Sequence, residues 1–81
     1  MTVTVHLFAV LRDRAGVGSC ELPLPDGATV AAAAAALAER FPGLGGAVPR
    51  VAYAVNREYA ATTTVLHDGD ELALIPPVSG G

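Results

Sequence analysis

Lysine is missing altogether from this 81-residue chain, and cysteine occurs once, at Cys20. The positive charge comes from Arg12, Arg14, Arg40, Arg50 and Arg57, which are scattered, and the net charge is −3. Nucleic acid is therefore not expected as a partner, because phosphate binding needs clustered basic side chains. A single cysteine excludes an internal disulfide and a cysteine metal cluster. Cys20 itself reads as an inert, inward-facing residue. No apolar run reaches the roughly 18 residues of a membrane span, so no membrane partner is expected. The opening "MTVTVHLFAV" has neither a basic leader nor a small-residue cleavage site, which makes a cytoplasmic protein the simplest expectation. Catalytic groups are also scarce. His6 and His67 have no third ligand at metal-binding spacing, so no metal is expected. His67 and Asp68 are adjacent and cannot orient one another as a triad with Ser79 requires. "GVG" and "GLGG" lack the remaining glycines of a phosphate loop.

What is present is a compact pattern of strands and one helix. With 52% hydrophobic and 16% charged residues, the chain is too apolar to stay unfolded. "TVTVHLFAV" alternates, which predicts a strand with Val3, Val5, Leu7 and Ala9 inward and His6 and Phe8 outward. "RDRAGVG" reads as a polar connection, and "SCELPLP" as a second, hairpin-paired strand with Cys20, Leu22 and Leu24 inward. Pro23 cannot donate to a ladder, which assigns that strand to a sheet edge. The alanine-rich stretch after Asp26-Gly27 predicts the main helix, capped by Thr29, with Val30, Ala34, Leu37 and Phe41 as its buried stripe. Pro42-Gly43 stops it, and "GLGGAVP" reads as a flexible loop. "RVAYAVN" predicts a third strand with Val51, Tyr53 and Val55 on one side, followed by a turn at Asn56-Arg57 and the short "EYAATTTVL". A turn at Asp68-Gly69-Asp70 leads into the last strand, where Leu72 and Leu74 oppose Ala73 and Ile75. The fold class is therefore α+β, a mixed sheet of four to five strands with one main helix on one face. Residues 1–77 form the domain and 78–81 an extended tail.

The tail, "PPVSGG", is the one stretch that core, cap or turn does not explain. Pro76-Pro77 holds the chain extended as it leaves the sheet. Val78 and Ser79 lead to Gly80 and Gly81, which have no side chains and can enter a channel too narrow for any other residue. A carboxylate must be activated before a nucleophile attacks it, usually as an acyl-adenylate made from ATP. Sulfur attack at the Gly81 carbonyl then gives a thiocarboxylate, and amine attack gives an isopeptide. Phe8 and Ile75, apolar on the face away from the helix, would form a partner-docking patch beside the tail's root.

These residues carry a resemblance. "FAVLRDRAG" at 8–16, "AVNREYA" at 54–60 and, most specifically, "LHDGDELALIPPVSGG" at 66–81 resemble the MoaD-type sulfur carriers, the small subunits of molybdopterin synthase, with a ubiquitin-like β-grasp fold. The resemblance implies that an adenylating, MoeB-like activating enzyme uses ATP on Gly81 and that a sulfur donor converts the adenylate to a thiocarboxylate. It further implies docking on a large, MoaE-like synthase subunit. There the sulfur would enter the molybdopterin dithiolene of the molybdenum cofactor. The carrier would bind no cofactor stably and would not be catalytic alone. Gly81 would be the reactive residue, with Gly80, Ser79, Val78, Pro77, Phe8 and Ile75 contacting partners. Three alternatives share the tail or the fold: a ThiS-like or tRNA-thiolation carrier, a ubiquitin-like protein modifier, and an interaction module with an idle tail. Having no lysine, the chain cannot build lysine-linked polymers of itself.

Overall fold

A computed structural model describes residues 1–45 and 50–77. Its elements are β1 (Thr2–Leu7), α1 (Ala9–Ala15), β2 (Ser19–Pro23), α2 (Val30–Arg40), a 3₁₀ turn (Pro42–Leu44), β3 (Ala52–Val55), β4 (Glu58–Ala60) and β5 (Glu71–Ile75). The strands form one sheet in the order β2-β1-β5-β3-β4. β1 and β5 run parallel, with Val5 opposite Leu72 and Leu7 opposite Leu74, and the other neighbours are antiparallel. β2 is an edge strand, which accommodates Pro23 without loss of a ladder bond.

Alternation fixes which side of the sheet is covered. Val3, Val5, Leu22, Leu72 and Leu74 are at most 3% exposed and meet Val30, Ala33, Ala34 and Leu37 of α2 in one core. The small alanines let the helix lie close to the strands, and each large aliphatic side chain contributes about 1.5–3 kcal/mol by leaving water. Thr29 caps α2, its Oγ1 accepting from the Ala32 amide at 3.2 Å. The next two free amides, Val30 and Ala31, donate to the carbonyls of Thr64 and Thr62 at 2.9 Å, so the segment after β4 completes the cap.

Three sequence-based expectations need correction. The first strand stops at Leu7, and "RDRA" lies in a helix instead of a polar connection; Ala9, expected inward, is exposed on α1. The β1–β2 pair is therefore bridged by a helix and not by a tight hairpin turn. α1 buries Leu11 completely and ends at Gly16, whose left-handed backbone (φ 81) lets its amide reach the Arg12 carbonyl at 2.8 Å. Second, the front of the "GLGGAVP" loop is ordered: Leu44 is fully buried in the 3₁₀ turn. Third, the buried stripe of α2 includes Ala33, while Phe41 lies past the helix end and is half-buried.

Candidate functional site

β5 is hydrogen-bonded to both β1 and β3 and is the last element before the tail, so it determines what surrounds the tail's root. Leu72 and Leu74 point into the core; Glu71, Ala73 and Ile75 point to the opposite face. Pro76 and Pro77 follow at once and share a notch of about 180 Å³ with Val10, Arg14, Arg50 and Val51. The expected functional residues Val78, Ser79, Gly80 and Gly81 lie outside the described residues.

Registers assemble the face away from α2. One row crosses the sheet as Ser19, His6, Ala73, Ala54 and Tyr59. Ile75 sits opposite Ala52 in the next row. Phe8 leaves β1 just beyond the Leu7–Leu74 pair, at the level of Ile75, and is half exposed. Ile75, expected to be exposed, is half-buried because it lies in a strand flanked on both sides. Ala54 is 7% exposed although it faces away from the main core. Tyr59, its cross-strand partner, is 80% exposed. The sequence reading passed over Tyr59; the clue is the alternation of "EYA", which sets the ring on the same face as Ala73 once the Asn56-Arg57 turn is placed.

Polar groups at the far end of this face hold the turns together. Asn56 Nδ2 donates to Asp70 Oδ1 at 3.0 Å, and Asn56 Oδ1 accepts from the Glu71 amide at 3.0 Å. The His67 amide donates to Asp70 Oδ2 at 2.8 Å. The Asn56 bond, then the His67 amide, hold the Asp70 carboxyl below its ordinary pKa. His6 Nε2 lies 2.9 Å from Glu71 Oε1. Between them, His6, Phe8, Arg57, Glu71 and Ala73 line a cleft of about 250 Å³. Cys20 is half-buried; burial raises its thiol pKa and Arg40 partly offsets this. Among the described residues no group of three or more His, Cys, Asp or Glu could hold a metal ion. No described helix is long and apolar enough to cross a membrane. What this arrangement offers is a stiff exit for the tail beside a face carrying two exposed aromatic rings, a combination suited to docking.

Comparison with known proteins gives consistent matches. The model of the ThiS family matches residues 5–81. The molybdopterin synthase sulfur carrier subunit of Arabidopsis thaliana is 38% identical over 79 residues, covering 98% of this chain and 82% of that protein. The crystal structure of SAMP1, small archaeal modifier protein 1, from Haloferax volcanii superposes with a TM-score of 0.93 at 35% identity, covering both chains fully. A subunit of the complex of subunits 1 and 2 of the molybdopterin-converting factor from Helicobacter pylori matches with a TM-score of 0.70 at 27% identity, again over the whole of both chains.

Proposed function

The chain belongs to the ThiS family, and from that premise we propose that it is the sulfur-carrying small subunit of a molybdopterin synthase. The observation that carries this reading is the 38% identity to a sulfur carrier subunit across 98% of the chain. The root of the tail supports it: β5, paired on both sides, runs straight into Pro76-Pro77.

In this reading the chain contributes a handle and a reactive end while its partners contribute active sites. An activating enzyme transfers AMP from ATP to the Gly81 carboxylate, releasing pyrophosphate. Hydrosulfide released by a sulfur donor then attacks the acyl carbon, AMP leaves, and a thiocarboxylate remains, a strong sulfur nucleophile at neutral pH. Gly80 and Gly81 give the partner access to that carbon because neither carries a Cβ. The β-grasp domain docks through the face bearing Phe8, Ile75 and Tyr59 on the large subunit, and the tail enters that subunit's active site. There the sulfur passes to the pterin precursor, two carriers supplying the two dithiolene sulfurs. The H. pylori complex of subunits 1 and 2 supports a large-subunit partner. In this reading the carrier works in the cytoplasm, where ATP is at hand for the activating enzyme.

A second reading has its own support. The likeness to SAMP1, a small archaeal modifier protein, fits a role in which an amine takes the place of sulfur and the chain is joined to other proteins.

Intact mass separates the readings. Incubated with its activating enzyme, ATP and a sulfur source, the chain is expected to gain roughly 16 Da as sulfur replaces one oxygen. Mixing the loaded carrier with the large subunit and pterin precursor is expected to yield molybdopterin, and Gly81→Ala to abolish it with the domain still folded. A fully active Gly81→Ala variant overturns both readings; a loaded chain that makes no molybdopterin but modifies proteins favours the second.

A further inference from the structure

The turn between β3 and β4 holds a residue that its backbone disfavours. Asn56 (φ 50) and Arg57 (φ 71) are both left-handed, as a two-residue hairpin of this twist requires. Asparagine tolerates that conformation, but the second position normally goes to glycine, and here it is an arginine. Ala9 (φ 49) is the third non-glycine residue with positive φ among the described residues. Ala9 directly follows Phe8, and Phe8 and Arg57 line the same cleft, opposite His6, Glu71 and Ala73. Unfavourable backbone thus occurs at Arg57, which lines the cleft, and at Ala9, next in the chain to Phe8, which lines it too; such strain clusters at functional sites.

The charges in the cleft identify what is missing. Its one carboxylate, Glu71, is held by His6 at 2.9 Å. The neighbouring Asp70 is held by Asn56 and the His67 amide. Arg57 makes no ion pair among the described residues. A guanidinium with no ion pair among the described residues therefore stands beside an exposed aromatic ring on a chain whose net charge is −3.

We propose that Arg57 is a specificity-determining anchor of the docking face: it pairs with a carboxylate on the protein partner while an apolar side chain of that partner fills the space between Phe8 and Ala73. The occupant is the large synthase subunit, so the proposal rests on the functional reading above. Charge complementarity favours an acidic protein surface, and the net negative charge with Asp70 and Glu71 nearby disfavours phosphate. The strain persists because the glycine that the turn prefers carries no cation.

The test uses the full chain and its large subunit. Arg57→Gly relieves the turn, so its Tm is expected to rise by about 2–5 °C. Its affinity for the large subunit, by calorimetry, is expected to fall roughly five- to tenfold, the scale of one charge-assisted hydrogen bond at a partly solvated site. Arg57→Glu should weaken binding further, and Arg57→Lys should restore part of it, retaining the charge but not the planar fork. Raising the salt concentration should weaken wild-type binding more than that of Arg57→Gly. Unchanged binding by Arg57→Gly overturns the proposal, as does weaker binding accompanied by a lower Tm, which would make Arg57 a structural residue. A wild-type dimer that Arg57→Gly dissolves overturns it in favour of a self-interface. Wild-type chain that fails to bind the large subunit at all overturns the functional reading itself.

Discussion

Replacing Gly43 by alanine sets two effects against each other, and their magnitudes give opposite signs for the change in stability. Gly43 is in the 3₁₀ turn, where alanine's smaller loss of backbone entropy would stabilise the fold by about 0.5–1 kcal/mol. A Cβ at Gly43, however, would lie 2.7 Å from the carbonyl oxygen of Arg14 and 3.5 Å from its carbonyl carbon. Reaching the roughly 3.3 Å of a close C–H···O contact needs a shift of about 0.6 Å. Neither backbone yields easily, because Leu11 on α1 and Leu44 on the turn are both fully buried. Forcing them apart costs about 1–3 kcal/mol, so after the entropy gain the net loss spans about 0–2.5 kcal/mol, centred near 1 kcal/mol. At about 4–8 °C per kcal/mol for a domain of this size, that central loss should lower Tm by roughly 4–8 °C. Thermal and urea unfolding of Gly43→Ala measure this, with Gly45→Ala as the control. Among the described residues a Cβ at Gly45 meets only the Pro42 carbonyl oxygen, at 3.4 Å, and φ there is −52. That variant should be as stable as wild type or slightly more so. A Gly43→Ala chain at least as stable as wild type would refute the close-approach argument, as would equal losses in both variants.

The Asp70 carboxyl has a depressed pKa in the folded state, led by its bond from Asn56. Its contribution to stability is therefore present above the unfolded value of about 3.9 and is lost as pH falls through the folded value. Asn56→Ala should flatten the acid side of the stability profile, read as urea midpoints between about pH 5 and 2; profiles that run parallel would count against the assignment. Cys20 should react slowly with iodoacetamide in the native chain at neutral pH, because burial raises its pKa. Arg40→Ala should slow it further by removing the charge that lowers it; equal rates in native and urea-unfolded wild type would refute the first expectation.

Elements that bury one face were legible in the sequence, because alternation and capping are local signals. Val3, Val5, Leu72 and Leu74 announced their strands, and Thr29 the start of α2. The Asn56-Arg57 turn was legible for the same reason. α1 was not, because it buries one large residue, Leu11; the strand-like alternation of "TVTVHL" also continues through Phe8 and Ala9 and hides the kink. Its end was readable: Arg12 and Arg14 followed by Gly16 form a helix C-terminus. Leu44 was lost among glycines, whose flexibility says nothing of a neighbour that plugs the core. On the outer face Phe8 was legible from strand phase alone. The half-burial of Ile75 and the exposure of Tyr59 were not, since both depend on which strands lie alongside.

The pairing of β5 also sets what happens when a partner pulls on the tail. β5 is hydrogen-bonded to parallel β1 on one side and antiparallel β3 on the other, with four registered residue pairs on each. Tension applied beyond Pro77 runs along the strand, across the direction of those bonds, so both ladders carry the load together in shear and cannot be peeled one bond at a time. An edge strand in that place would have a single ladder to resist the pull. The sheet therefore acts as a two-sided grip, and the force of drawing the end of the chain into a narrow channel reaches the whole domain as a rigid body.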